Sequence, residues 1–168
     1  MAIFYPVNRK RYRRSIIMKK EEKLLLQDLT SRLSFGVMCE YKNETCSTTK
    51  PLLLTDIRRV KIRTGFIYWD CYFEDNGERN IPVEIVRPYL RPLSSMTDEE
   101  SYNLCESIGF NILYTTDEHK LQLLDGATIK DNALAIIWLI KHHFDYLGLI
   151  DLGMAIEVTK ENNPYEKA

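Results

Sequence analysis

The organisation of this 168-residue chain is clearest in one stretch, Ile81-Pro-Val-Glu-Ile-Val-Arg-Pro-Tyr-Leu-Arg-Pro-Leu-Ser-Ser-Met-Thr-Asp-Glu-Glu100. Its first residues, 81–86, predict a last short strand or a helical turn. Pro88 and Pro92 then predict a stiff, exposed crossing segment, because proline fixes φ and has no N–H to give to a sheet. The stretch therefore closes a β-rich part of the chain and opens a helical part.

Short strand patterns fill the β-rich part, residues 35–90. Val60 and Ile62 alternate with charged residues, which is the period of a half-exposed strand. The aromatic run 66–73 predicts a strand that ends in the hairpin-type turn at residues 75–77. Several short strands joined by tight turns predict an SH3-like curved sheet or small barrel.

Helical patterns lie on both sides of the β-rich part. Leucines at helical spacing predict an N-terminal helix over residues 20–33. In the helical part, residues 97–158, the capping-box pair Thr97 and Glu100 predicts a helix that stops at Gly109. A second C-terminal helix is predicted over residues 129–144, and it is apolar enough for burial on two sides. Its apolar stripe consists of Ala133, Ile136, Ile137, Ile140 and Phe144.

These elements predict a single α+β domain over residues 18–160, with an N-terminal helix, the curved sheet or barrel, and two C-terminal helices. Residues 1–17 form a basic N-terminal extension that we expect to be disordered. Residues 161–168 are expected to form a frayed tail.

Composition indicates a folded protein outside the membrane. Apolar residues make up 45% and aromatic residues 11% of the chain, and no run approaches the length of a membrane helix. The net charge of −1 hides an asymmetry, because residues 1–17 hold five basic residues and no acid. We expect a cytoplasmic protein whose four cysteines are reduced thiols.

Reactive side chains are sparse and poorly spaced for chemistry. His142 and His143 are adjacent, so on a helix they point about 100° apart and cannot easily share one ion. The cysteines form no close pair of the kind that binds zinc, and the scattered glycines form no phosphate-binding loop. We therefore expect no catalytic residue, no metal site and no cofactor, so the chain is not expected to be an enzyme.

Nucleic-acid binding is the alternative function. The basic side chains that could contact phosphates are Arg9, Lys10, Arg11, Arg13 and Arg14 in the extension, and Arg58, Arg59, Lys61 and Arg63 in a predicted strand. This strand precedes the aromatic run 66–73, and exposed aromatics on small barrels can stack bases. The rest of the chain is net acidic, so the electrostatic attraction would depend on the extension.

Protein–protein binding is the favoured function. Tyr89, Leu90 and Leu93 lie among prolines and could form part of an apolar docking surface. The competing interpretation is that they cover the seam between the sheet and the helices.

Two stretches resemble a group of short proteins encoded in phages and prophage-like regions of Bacteroidales genomes. They are residues 84–100 (EIVRPYLRPLSSMTDEE) and 138–157 (WLIKHHFDYLGLIDLGMAIE). The resemblance implies a shared fold and a mobile-element setting, and it carries no activity. In that group the protein begins near Met18, which would make residues 1–17 an upstream extension. The expected function is a non-enzymatic protein-interaction or accessory module of phage or prophage origin.

Overall fold

The computed structural model describes residues 19–42, 50–61, 67–74, 81–109, 112–115, 120–123 and 129–166. Within these ranges the elements, in chain order, are α1 (Lys20–Arg32), β1 (Met38–Tyr41), β2 (Leu52–Lys61), β3 (Ile67–Phe73), β4 (Ile81–Pro82), β5 (Val86–Leu90), α2 (Asp98–Ile108), β6 (Ile112–Thr115), β7 (Lys120–Leu123), α3 (Ile129–Lys141) and β8 (Ile156–Glu157). The predicted α+β class and N-terminal helix are confirmed.

The main sheet has six strands in the order β4-β3-β2-β1-β5-β8. Neighbouring strands are antiparallel except β5 and β8, which are parallel. Because β4 and β8 lie at opposite edges and do not pair with each other, the sheet is open, and the predicted barrel shape is not confirmed. Strands β6 and β7 form a separate antiparallel pair.

Strand β5 corrects the predicted crossing segment, since Pro88 lies within it. Pro88 faces Cys39 of β1, whereas the pairing with β8 begins one residue later, at Tyr89 opposite Ile156. The missing N–H of the proline is therefore not needed by the parallel ladder. A proline strand with neighbours on both sides is unusual. Here the two ladders share no residue of β5, because the β1 ladder ends at Pro88 and the β8 ladder begins at Tyr89.

Two apolar clusters hold the fold together. In the first, Leu25 and Leu29 of α1 pack on one face of the sheet, against strand residues such as Leu54 and Leu90. The second lies between α2 and α3, and its buried members are Leu104, Ile108, Ala135, Leu139 and Phe144. The predicted capping box at the start of α2 is confirmed, because Thr97 Oγ1 accepts from the Glu100 N–H and a Glu100 carboxylate oxygen accepts from the Thr97 N–H.

A buried ion pair joins the two clusters. Arg32, at the end of α1, is 0% exposed and donates two hydrogen bonds to Asp28, at 2.8 and 2.9 Å. It also donates to the carbonyl oxygens of Ile140 (3.2 Å) and Phe144 (2.7 Å). Burial raises the pKa of Asp28, and the Arg32 guanidinium offsets part of that rise.

Helix α3 departs from the prediction in its length and its burial. It ends at Lys141, three residues before Phe144. Ile140 and Phe144 are buried as expected, but Ile136 is 41% exposed and Ile137 is 51% exposed. The stripe that the sequence predicted to be buried throughout is therefore covered only at its C-terminal end.

Candidate functional site

The exposed part of the α3 stripe is the most unusual surface among the described residues. We call Ala133, Ile136 and Ile137 the α3 face; all three side chains are exposed. Helical spacing puts them on one side of α3, whereas Ala135 and Leu139 point into the second cluster. Fully burying an isoleucine stabilises a protein by about 1.5–3 kcal/mol. A partner that covered these two exposed isoleucines would gain binding free energy from their burial.

Two other large apolar side chains are exposed in the part of the chain that the structure describes, and each stands apart from the α3 face in sequence. Tyr102 on α2 is 67% exposed, and Leu152, which lies between α3 and β8, is 50% exposed. Scattered single apolar residues are normal on protein surfaces and need no explanation. Leu152 matches Ile137 in exposure and size, which makes it a suitable control position.

A polar cavity of about 620 Å³ lies on another part of the helical unit. It is bounded by Arg91 after β5, the first turns of α2, the end of α3 and residues 163–166 near the C-terminus. Arg91 and Glu100 pair across its wall at 2.6 and 2.9 Å. The bond from Arg91 lowers the pKa of Glu100 to about 2. This pair is therefore charged at neutral pH and fixes α2 to the end of β5.

His143 has the most strained backbone near the cavity. The bonds His143 N–H to Ile140 O and Phe144 N–H to Leu139 O form a Schellman motif at the end of α3. The left-handed position of that motif usually holds glycine, yet here it holds His143, with φ of 60°. The imidazole Nδ1 is buried and has no hydrogen-bond partner in the described part of the chain.

The rings of His142 and His143 are each stacked on an aromatic ring. His142 lies 4.0 Å from Trp138, and His143 lies 3.9 Å from Tyr165 with an angle of 7° between the planes. Burial lowers the pKa of His143 from 6.5 to about 4, and the nearby cations Arg32 and Arg91 add to this effect. The ring is therefore neutral at pH 7.

We expect the stability of the protein to fall as the pH is lowered from 7 to 5. In this range the unfolded chain binds a proton at residue 143 and the folded chain does not, so the free energy of unfolding decreases. The expected loss is about 1 kcal/mol, after allowance for the partial exposure of the ring. Glu100 does not contribute, because its carboxyl begins to lose stabilisation only below its ordinary pKa of 4.5.

Urea unfolding at pH 7 and pH 5 measures this loss. The matched control is His143→Asn, because asparagine tolerates the left-handed backbone and does not titrate. The variant should lose less stability than the wild type between the two pH values. Equal losses in both proteins would show that His143 does not cause the pH dependence.

Of the predicted frayed tail, residues 161–166 are described, and they are docked on the body through Tyr165. Residues 167 and 168 lie outside the described residues. The Tyr165 hydroxyl donates to the carbonyl oxygen of Tyr89 at 2.8 Å and accepts from the N–H of Met38 at 3.2 Å. One side chain thus ties this segment to both β1 and β5. A single late tyrosine in a polar stretch gives no periodicity from which this contact could have been predicted.

The residues predicted as a partner surface lie mostly inside the fold. Leu90 is 0% and Tyr89 7% exposed, and Leu93 packs against the second cluster. The Tyr89 hydroxyl also donates to a Glu40 carboxylate oxygen at 3.2 Å. These side chains cover the junction between sheet and helices, so the structure favours the competing interpretation of this stretch.

The residues predicted for nucleic-acid binding are not brought into one described patch. Arg9, Lys10, Arg11, Arg13, Arg14 and Arg63 lie outside the described residues. Arg58 pairs with Asp56 at 2.5 Å and lies 4.5 Å from the centre of the Tyr72 ring. Arg59 is exposed, and strand alternation directs it to the opposite face of β2 from Arg58. Lys61 is the last residue of β2.

The described ranges contain neither a metal-binding group of side chains nor a helix that could span a membrane. No group of three or more His, Cys, Asp or Glu side chains there could hold a metal ion. No helix in the described part of the chain is long and apolar enough to span a bilayer. Comparison with protein-family models, curated proteins and solved structures finds no match to this chain.

Proposed function

We propose that this protein is a non-enzymatic protein-interaction or accessory module, and that the α3 face is its docking surface. The observation that carries the proposal is the exposure of Ile136 and Ile137 beside each other on α3. The phage or prophage origin implied by the resemblance, a cytoplasmic location and an SH3-like sheet belong to the same proposal.

The chemistry of the α3 face indicates what kind of partner would fit. Ile137 and Lys141 lie four residues apart on α3, so they are neighbours on the helix surface, and Lys141 is exposed. A complementary protein would present an apolar surface to the isoleucines and a carboxylate near Lys141. Apolar anchors that become fully buried supply most of the energy of such interfaces, and charges at the rim supply specificity.

Replacing Ile137 with glutamate should abolish this interaction without unfolding the protein, since the side chain is already half exposed. We expect a loss of at least about 2 kcal/mol in binding free energy, the range of an interface anchor. Leu152→Glu is the matched control, because it adds the same charge at an apolar position of similar exposure.

The measurement has two steps. The wild type and both variants are used to capture proteins from a Bacteroidales host that carries related prophages, and a captured protein is then purified and titrated against all three. A partner that binds the wild type and Leu152→Glu but not Ile137→Glu supports the proposal. Partners retained equally by all three proteins, or the absence of any partner, contradict it. Light scattering of the wild type tests whether a second copy of this chain occupies the α3 face. A wild-type dimer that Ile137→Glu dissociates would identify the occupant as a second copy and contradict a foreign partner.

A further inference from the structure

The segment 159–166, which we call the C-terminal strap, reaches β1 and β5 through one side chain, that of Tyr165. Its other hydrogen bonds between described residues join residues close in sequence, and one of them reaches Glu157 in β8. Thr159 N–H donates to Asn162 Oδ1, Asn162 Nδ2 donates to the Glu157 carbonyl oxygen, and Tyr165 N–H donates to Asn163 Oδ1. The strap therefore forms its own turn, and Tyr165 is the part of it that is inserted into the body.

The site that receives Tyr165 pairs both hydrogen-bonding functions of its phenol. The hydroxyl oxygen both donates, to Tyr89 O, and accepts, from Met38 N–H. Phenylalanine in the same place would leave these two backbone groups without their partner, and an unpaired buried polar group weakens binding. A phosphorylated tyrosine has no proton on that oxygen to donate, and its added phosphate would need space between two strands.

The His143 ring, which we call the platform of this site, is held in a position that destabilises the fold. His143 stacks on the Tyr165 ring at 3.9 Å. To do so it occupies a left-handed position that normally holds glycine, and it buries an Nδ1 atom that has no partner among the described groups. Backbone strain of this kind clusters at binding and switch sites. A residue needed only to end α3 would be glycine.

We propose that the cleft between His143, Tyr89 and Met38 is a recognition site for an exposed tyrosine on a turn of a partner protein, and that the strap fills it in cis. The strap then acts as an internal competitor, which a partner must displace. Between described residues, three hydrogen bonds join the strap to the strands, two through the Tyr165 hydroxyl and one from Asn162 to Glu157. Displacement of the strap would break these bonds without opening the sheet, and local segments of this kind open at low cost. This site is separate from the α3 face, and the inference does not depend on the proposed function.

The test uses the full chain and a labelled peptide, Thr-Lys-Glu-Asn-Asn-Pro-Tyr-Glu, which has the sequence of the strap. The variant Tyr165→Ala empties the site, and Tyr102→Ala, which removes an exposed tyrosine on α2, is the control. Fluorescence anisotropy should show that the peptide binds Tyr165→Ala at least about tenfold more tightly than it binds the wild type or Tyr102→Ala, because the competitor in cis is gone. A peptide with phenylalanine in place of tyrosine should bind at least about fivefold more weakly, and the phosphotyrosine peptide should not bind.

A second variant separates recognition from structural support. In the Tyr165→Ala background, His143→Gly should remove the platform and weaken peptide binding, while the urea midpoint stays equal or rises because glycine suits the left-handed position. If Tyr165→Ala does not fold, Tyr165→Phe takes its place. It keeps the ring in the cleft and removes only the two hydrogen bonds, so the competitor is weakened and the peptide should bind this variant about fivefold more tightly than it binds the wild type.

Several results would overturn the proposal. Equal peptide affinity for the wild type and the emptied site would do so, as would equal affinity for the tyrosine and phenylalanine peptides. Failure of the emptied site to bind the peptide at 1 mM, roughly the effective concentration of a short tether, is a third such result. Peptide binding that His143→Gly leaves unchanged is a fourth. A wild-type dimer in light scattering that Tyr165→Ala dissociates would assign the site to the strap of a second copy and also overturn it.

Discussion

Arg32→Ala is expected to lower the free energy of unfolding by about 3–5 kcal/mol, the cost of removing one partner from a buried ion pair. The substitution would leave the Asp28 carboxylate buried without the guanidinium that now binds both of its oxygens. It would also leave the carbonyl oxygens of Ile140 and Phe144 without their donor. Because Arg32 is the link between α1 and the end of α3, the two clusters should also lose cooperativity.

A double variant tests this explanation. Asp28→Leu combined with Arg32→Met removes both charges and fills the same volume with apolar groups, which is often neutral or stabilising for buried ion pairs. We expect it to be more stable than Arg32→Ala by at least about 1 kcal/mol. Urea denaturation of the three proteins provides the measurement. A loss below about 1 kcal/mol in Arg32→Ala would mean that the pair is not buried as described.

Phe144→Ala is expected to cost about 3–5 kcal/mol, the range for large-to-small changes at a fully buried aromatic. The ring is 0% exposed, stacks 5.9 Å from Trp138 and lies 4.3 Å from the Arg91 guanidinium. Its removal would leave a cavity where α2, α3 and the end of β5 meet. The Arg91–Glu100 pair would lose the apolar surface on which the guanidinium rests.

Two further variants give the scale for this prediction. Phe144→Leu keeps most of the volume and should cost clearly less than Phe144→Ala. Tyr102→Ala removes an aromatic side chain that is 67% exposed and should change stability by no more than about 0.5 kcal/mol. Thermal and urea unfolding of all three variants provide the comparison. Similar losses for Phe144→Ala and Tyr102→Ala would contradict the described packing.

The two ends of α2 were predictable because local residues determine them. The capping box of Thr97 and Glu100 placed the start of α2 correctly, and Gly109 placed its end, where it has φ of 69°. The leucines of α1 likewise identified that helix from their spacing alone. Such signals act within one or two turns, so they can be read from the sequence without knowledge of the rest of the fold.

The features that were missed depend on contacts between distant parts of the chain. Pro88 looked incompatible with an internal strand, and only the offset between the two neighbouring ladders accommodates it. Asp28 and Arg32 have the spacing of an ordinary surface pair on a helix. Their burial follows from the position of Ile140 and Phe144, more than a hundred residues away.

The candidate sites were predictable only in part for the same reason. Periodicity identified the apolar stripe of α3, but it could not show which part of the stripe a neighbour covers. Ile140 and Ile137 look equivalent in the sequence, yet one is 6% exposed and the other 51%. The strap carried no periodic pattern, and its contact with His143 joins two segments whose sequences give no reason to meet.

The parallel pairing of β5 with β8 has a consequence for how the chain is made. Tyr89 pairs with Ile156, so one edge of β5 has no partner until α2, the β6–β7 pair and α3 have been synthesised. Unpaired strand edges are templates for aggregation, and closing so long a loop slows folding. At ribosomal rates of about 5–20 residues per second, the nascent chain would therefore expose the unpaired edge of β5 for several seconds. We expect chaperones that bind unfolded chains to bind this edge during that interval.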